Sequence, residues 1–225
     1  MAKDFNNPMV VDGYDEHIRK LIPGYELIHL QVHALLESYL NEYAHILIVG
    51  CGTGYELQYL LEQFPKRTFT AIDPALNMLE KAKNHIQSLA LSDRVNFIHG
   101  DTSILNSNHE KFDAAIAILV SHFVPIENKA TFFQDIADSL NPNGLCISVD
   151  LTQISTQDEL KVLKNIALKT GLSEKQSQTM IERLERDFHL LSATNLLDLY
   201  QQSGLRHNKS FTQILNYYGF IGFKA

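Results

Sequence analysis

The chain has 225 residues, 45% apolar and 20% charged, with six Pro and eleven Gly. This composition suits one folded domain and excludes disordered, collagen-like and low-complexity classes. Twenty-six acidic against nineteen basic residues give a net charge of −7, so no overall basic footprint for nucleic acid stands out, although a local basic groove can sit inside an acidic total.

The first residues, MAKDFNNPMV, lack the basic start and apolar run of a secretion signal. The longest apolar stretch, Ala114 to Val120, falls far short of the ~18 residues of a membrane span. Cys51 and Cys146 show neither metal-ligand spacing nor a disulfide framework. A reducing cytoplasm, no membrane association and no metal are therefore expected.

From Ala44 onward, short β-like runs alternate with helical patterns. HILIV (45–49) is an apolar run entering a glycine turn, as a buried parallel strand does. Leu57, Leu60, Leu61 and Phe64 then recur at helical spacing until Pro65. Further strands are read at 68–72, 94–99, 112–119 and 145–151, with helices at 76–89 and 129–140, the latter closed by Asn141-Pro142-Asn143-Gly144. Such alternation implies βαβ units and a doubly wound, mostly parallel sheet with helices on both faces.

The alternation breaks after Asp150. Thr156-x-x-Glu159 is a capping-box signature before a helix carrying Leu160, Leu163, Ile166 and Ala167. A second helix follows Ser173 and carries Met180, Ile181, Leu184 and Phe188. This inserted pair reads equally as a lid over the strand tips or as a packing or dimerising element. A helix at 195–203 and a final strand, Gly219 break and strand over 211–224 complete the chain.

Chemistry concentrates at the strand ends, where open α/β sheets bind ligands. Gly50-Cys51-Gly52-Thr53-Gly54 follows the first strand, and glycines there let backbone N–H groups approach a ligand closely. A dinucleotide fingerprint needs a sixth-position glycine, and Tyr55 stands there, which disfavours a nicotinamide dehydrogenase. Asp73, nineteen residues beyond Gly54, can accept from both hydroxyls of a ribose or can cap a helix whose first residue is Pro74. Asp101 and Thr102, after the third strand, suit an adenine amino group, with a plain Asx turn as the alternative. His122, just past the fourth strand, is placed as a general base or as a pocket wall. Tyr217 and Tyr218 could line an acceptor pocket, but as strand aromatics they read more readily as core packing.

ILIVGCGTG, FTAIDPALNMLEKAK, VNFIHGD, KFDAAIAILVSHFV and LNPNG, in that order, resemble class I S-adenosylmethionine-dependent methyltransferases. YDEHIRKLIPGY and GLSEKQSQTMIERL are similar to the branch of tRNA-uridine carboxymethyl synthases that use carboxy-S-adenosylmethionine. The resemblance implies a Rossmann-like, seven-stranded sheet with one antiparallel strand in its last pair. It implies one domain made of an N-terminal helical segment (1–43), a cofactor-binding core (44–151), an inserted helical lid (152–192) and a C-terminal helix and hairpin (193–225). Gly50, Cys51 and Gly52 would line the methionine part of S-adenosyl-L-methionine, Asp73 and Pro74 the ribose, and Asp101, Thr102 and Met78 the adenine. Ile118 and Leu119 would meet it at the fourth strand's tip, and Tyr25 would reach in from the N-terminal segment. S-adenosyl-L-homocysteine would be the product.

Two departures matter. The acidic residue usual two positions before the first glycine is Ile48, and Glu56 is the candidate substitute, its alternative being a favourable charge at a helix N-terminus. The arginine that pairs with the extra carboxylate aligns with Gln178, with Arg183 and Arg186 off register. Plain S-adenosylmethionine and in-line methyl transfer to a small-molecule acceptor are therefore expected. A tRNA-uridine carboxymethyl transferase using the carboxylated cofactor and a non-catalytic cofactor-binding partner protein are the alternatives. A homodimer is implied by the resemblance alone.

Overall fold

A computed structural model describes residues 5, 7, 11, 13–107 and 109–225, without the side chain of Glu185. Most of MAKDFNNPMV thus lies outside the described residues. One sheet holds β1 (His45–Val49), β2 (Thr68–Asp73), β3 (Val95–His99), β4 (Phe112–Ile118), β5 (Leu140–Leu151), β6 (Leu205–Ile214) and β7 (Tyr217–Lys224). Their order is β3-β2-β1-β4-β5-β7-β6. β1 to β5 pair in parallel, while β7 runs antiparallel to both β5 and β6. The order reverses between β1 and β4, and a crevice opens there beyond the strands' carboxyl ends.

The helices are α1 (Tyr14–Leu21), α2 (Tyr25–Tyr39), α3 (Tyr55–Gln63), α4 (Leu76–Ser88), α5 (Lys129–Ser139), α6 (Gln157–Lys169), α7 (Glu174–Arg186) and α8 (Ala193–Gln202). Alternate residues of a strand point to opposite faces, so β1 feeds two cores. Ile46 and Ile48 pack with Leu36 of α2, Leu57 of α3 and Leu79 of α4. Leu47 and Val49 pack with Phe133 of α5 and Tyr200 of α8. Burial on both faces explains why β1 is continuously apolar. No helix among the described residues is long and apolar enough to cross a membrane.

Three local expectations are corrected. Asn141–Gly144 belongs to β5: Leu140 pairs with Phe112, the register then shifts, and Asn143 takes a positive φ of 63° before pairing resumes at Leu145. The bulge absorbs a Pro-Gly segment that reads locally as a breaker. Gly219 lies inside β7, and the hairpin turns at Leu215-Asn216, with Leu215 at φ 54°. A Cβ at Gly219 would sit 2.5 Å from Phe211 Cζ, so this glycine admits a cross-strand ring and does not break the strand. At Thr156, the hydroxyl accepts from Glu159 N, but the Glu159 carboxylate accepts from Ser155 N, one residue early. The reciprocal capping box is at Ser173 and Gln176, at the start of α7.

Candidate functional site

The glycine loop between β1 and α3 is pressed onto the tip of β2. Gly50, Gly52 and Gly54 all have left-handed φ (70°, 54° and 86°), and a Cβ on Gly50 would lie 2.6 Å from Val120 Cγ2. Glycine is therefore required by both conformation and space. Gly50 N and Cys51 N donate to the Ile72 carbonyl at 2.8 and 3.1 Å, Gly54 N to the Cys51 carbonyl at 3.0 Å, and Gly52 N to Asp73 Oδ2 at 2.8 Å. This corrects the expectation of free amides cradling a ligand: the glycines permit close approach, and these four donors already serve the loop itself.

Asp73 is buried, and burial raises its carboxyl above the ordinary value against the pull of hydrogen bonds from Ala75 N and Gly52 N. Its Oδ1 accepts from Ala75 N at 2.8 Å. Helix α4 starts at Leu76 with Ala75 as its N-cap, so Asp73 and Pro74 stand before the cap. Each Asp73 oxygen retains lone-pair capacity beyond the one bond it accepts. Asp101 forms the Asx turn, its Oδ1 accepting from Ser103 N at 3.0 Å and Ser103 Oγ at 2.6 Å. Thr102 Oγ1 donates to Asp135 Oδ2 at 3.1 Å.

A cavity of about 520 Å³ runs along these strand tips, a volume in the usual range for small-molecule sites. Gly50, Gly52, Asp73, Pro74, Met78, Asp101, Thr102, Ile118 and Leu119 all line it. Cys51 and Tyr25 do not. Cys51 is buried under the loop, its thiol pushed well up by that burial. Tyr25 turns into the core, its ring 4.5 Å from His29 and 5.6 Å from Tyr55. Tyr14, eleven positions earlier, is the tyrosine on the cavity wall, joined by Phe5, Phe132 and Asp135. Tyr14 opens the YDEHIRKLIPGY motif, whereas Phe5, Phe132 and Asp135 carry no motif that sequence alone would flag.

Glu56 does not line this cavity. It is buried opposite His29, Oε2 to Nε2 3.7 Å, while His29 Nδ1 donates to the Tyr25 carbonyl at 2.8 Å. Burial raises the Glu56 carboxyl. Burial also opposes a charged His29, but the Glu56 bond and charge outweigh it and raise the imidazole. Glu56 keeps the helix N-terminal position of the alternative reading, in the first turn of α3, and is buried there opposite His29, away from the cavity. The carboxylate that reaches the glycine loop from the N-terminal segment is Asp15, which accepts from Thr53 Oγ1 at 2.5 Å.

Phe5, Tyr14, Leu119 and Phe123 also face a second, smaller cavity of about 50 Å³. Leu119 holds a left-handed φ of 61°, which is strained for a side chain branched beyond Cβ. The other walls are Ile18 and Leu21 of α1, Met180, Arg183 and Leu184 of α7, Phe188, Leu151, Tyr217 and His122. Of the two readings of Tyr217, the pocket-lining one matches this cavity wall. Phe188 lies past the end of α7, its ring 5.1 Å from that of His122. Gln178 is exposed and pairs with Glu182, so Arg183, not Gln178, is the side chain of α7 that faces inward with a guanidinium. Arg183 Nε donates to Asp187 Oδ2 at 2.7 Å, and Arg186 Nε to Asp187 Oδ1 at 2.8 Å. The Arg186 bond, aided by Arg183 against burial, lowers the Asp187 carboxyl to about 2.

His122 occupies a short helical turn after β4. Asp150 Oδ1 accepts from its backbone N at 3.3 Å and from its Nδ1 at 3.2 Å. Asp150 is fully buried, and its Oδ2 has no hydrogen-bond partner. Donation through Nδ1 leaves Nε2 as the acceptor nitrogen. Asp150 was not singled out by sequence. Its one signal is a carboxylate interrupting the apolar run LCISVDL of a central strand.

Residues 46–144 match the family described as "Methyltransferase domain". The chain is 26% identical over 183 residues to the biotin biosynthesis bifunctional protein BioHC of Teredinibacter turnerae, covering 78% of this chain and 29% of that protein. It is 25% identical over 226 residues to a carboxy-S-adenosyl-L-methionine synthase of Trichodesmium erythraeum, covering 97% of this chain and 88% of that protein. An O-methyltransferase family protein from Burkholderia thailandensis shares the fold with a TM-score of 0.65 at 15% identity, over 98% of this chain and 61% of that one. The chain thus spans less than two thirds of BioHC and of that solved structure. The full-length likeness is to synthases of the carboxylated cofactor, whereas the flanking motifs suggested the carboxymethyl synthases. Residues 46–144 are thus similar to a methyltransferase domain, and the fold around them is a Rossmann-like α/β fold.

Proposed function

We propose that this chain is a class I methyltransferase using S-adenosyl-L-methionine, which transfers the methyl group to a small-molecule acceptor seated against His122 while the cofactor lies along the strand tips. One observation carries the reading: His122, backed by buried Asp150, faces a cavity that shares four wall residues with the larger one. The fit to the cofactor rests on the larger cavity's size, on Asp73 at its wall with spare acceptor capacity, and on Gly50 and Gly52 of the glycine loop, which line it. Asp73 and Pro74 would hold the ribose, Asp101 and Met78 the adenine, and Gly50 and Gly52 the methionine end. Thr102 would act through Asp135, to which it already donates.

The cofactor supplies a methyl group on a sulfonium, whose departure needs no acid. The protein's part is to align the acceptor, worth about 7–11 kcal/mol of barrier, and to remove its proton, worth about 10²–10⁴-fold. His122 Nε2 would take that proton, and Asp150 would hold the imidazole in the tautomer with Nδ1 protonated. Arg183 and Leu184 of α7 would close the acceptor side, which makes the inserted helices a substrate-selecting wall. Such a wall must shift to admit an acceptor, because about 50 Å³ holds only a few heavy atoms. A cytoplasmic setting suits the two free cysteines.

Incubating the purified protein with metabolite extracts and isotopically labelled methyl donor tests this. Label in a small molecule is expected. Label confined to tRNA, or no transfer although the donor binds, would replace the reading with the nucleic-acid enzyme or the non-catalytic partner. A second reading has its own support: the synthase relatives and Arg183 in the second cavity favour handling of the carboxylated cofactor. Mass spectrometry of ligand released from the purified protein separates the two.

A further inference from the structure

Lys129 opens α5 and is almost completely buried, at 1% exposure. A cation there is doubly disfavoured, by desolvation and by the positive end of the helix dipole. Two features offset this. Its Nζ donates to the Ser121 carbonyl, which also accepts from Val124 N at 3.0 Å, so the lysine pins the turn that carries His122. The buried carboxylate of Asp150 attracts it.

Resting on the proposed role of His122, we propose that Lys129 is a positioning residue for that base: it fixes the Ser121–Phe123 turn and supplies a buried positive charge behind the His122–Asp150 pair, which favours the neutral imidazole. Burial lowers the lysine to about 8, so it keeps its proton through the range in which histidines ordinarily titrate. Among the described residues, the other charged or titratable groups at His122 or on the cavity it lines are Asp150 from β5, Arg183 from α7, Tyr14 and Tyr217 on the wall, and His189, whose backbone N donates to the His122 carbonyl at 2.8 Å. Arg183 is committed to Asp187. Among the described residues, Lys129 is a buried cation attracted by Asp150, and it offsets that carboxylate, which on its own would favour the imidazolium.

The test is Lys129→Met, which keeps the stem and removes the charge, beside Lys129→Arg, which restores it. The readouts are the His122 ring titration followed by NMR in the cofactor-bound protein and the acid limb of the pH–rate profile. In Lys129→Met both midpoints should move up by roughly half to one pH unit, and Lys129→Arg should move them back. A midpoint unmoved in folded Lys129→Met protein overturns the proposal. If Lys129→Met does not fold, the same titration in the milder Lys129→Gln decides, with the same two outcomes. Failure of the underlying reading looks different: His122→Ala would keep activity and its acid limb, while the NMR midpoint would still respond to Lys129.

Discussion

The two cavities are built by different means. The larger one is built mainly from the loops at the ends of β1 to β4, with Tyr14 of α1, Met78 of α4 and Phe132 and Asp135 of α5 completing its wall. The smaller one draws on α1, the turn after β4, the end of β5, α7 and the start of β7, segments up to about 200 residues apart. One is held rigid by backbone hydrogen bonds, as where Gly52 N meets Asp73. The other is walled by side chains that repack more easily. A fold can therefore keep one ligand site constant while the facing wall changes its substrate.

His122→Ala should break the comparison most deeply. A loss of about 10²–10⁴ in kcat is expected with cofactor affinity unchanged by calorimetry; a parallel fall in affinity would show that the cavities are not separable. Asp73→Ala should act on the opposite side, weakening cofactor binding by about 1.5–3 kcal/mol, since it removes a charged acceptor that also ties Gly52 and Ala75. Isothermal titration measures it, and unchanged affinity in folded protein would remove the ribose assignment.

Gly50→Ala should cost about 1–3 kcal/mol of stability, from the left-handed φ and the approach to Val120. A melting temperature equal to that of the parent would show the loop to be pliant. The smallest effect is expected at Asp187. Its carboxyl sits at about 2 in the folded chain, held first by Arg186, against about 3.9 when unfolded. The folded state thus gains stability from it above about pH 4, and loses that gain as pH falls toward 2. Acid titration of unfolding should show a shallower decline in Asp187→Asn; identical curves would leave α7 anchored by its apolar face alone.

Much of the larger cavity's lining was legible in the sequence because short-range signals determine it. A strand run, a glycine turn and an acidic strand tip recur within a few residues, and the sheet brings the tips together. Tyr25 was misplaced because a resemblance assigns a residue type, whereas packing against His29 and Tyr55 decides where the ring points. Asp150 and Arg183 were hidden for a different reason: each gains meaning only from a partner far along the chain, His122 or the opposite cavity wall. The hairpin turn escaped because Gly219 resembles a breaker, while Leu215 must adopt a positive φ that its side chain gives no sign of.

A crystal structure with S-adenosyl-L-homocysteine bound would address the division of labour directly. The ribose hydroxyls should lie on Asp73 and the sulfur should face the wall of Tyr14, Leu119 and Phe123, with His122 on its far side. A nucleoside bound elsewhere, or a sulfur turned away from that wall, would contradict the assignment of the two cavities.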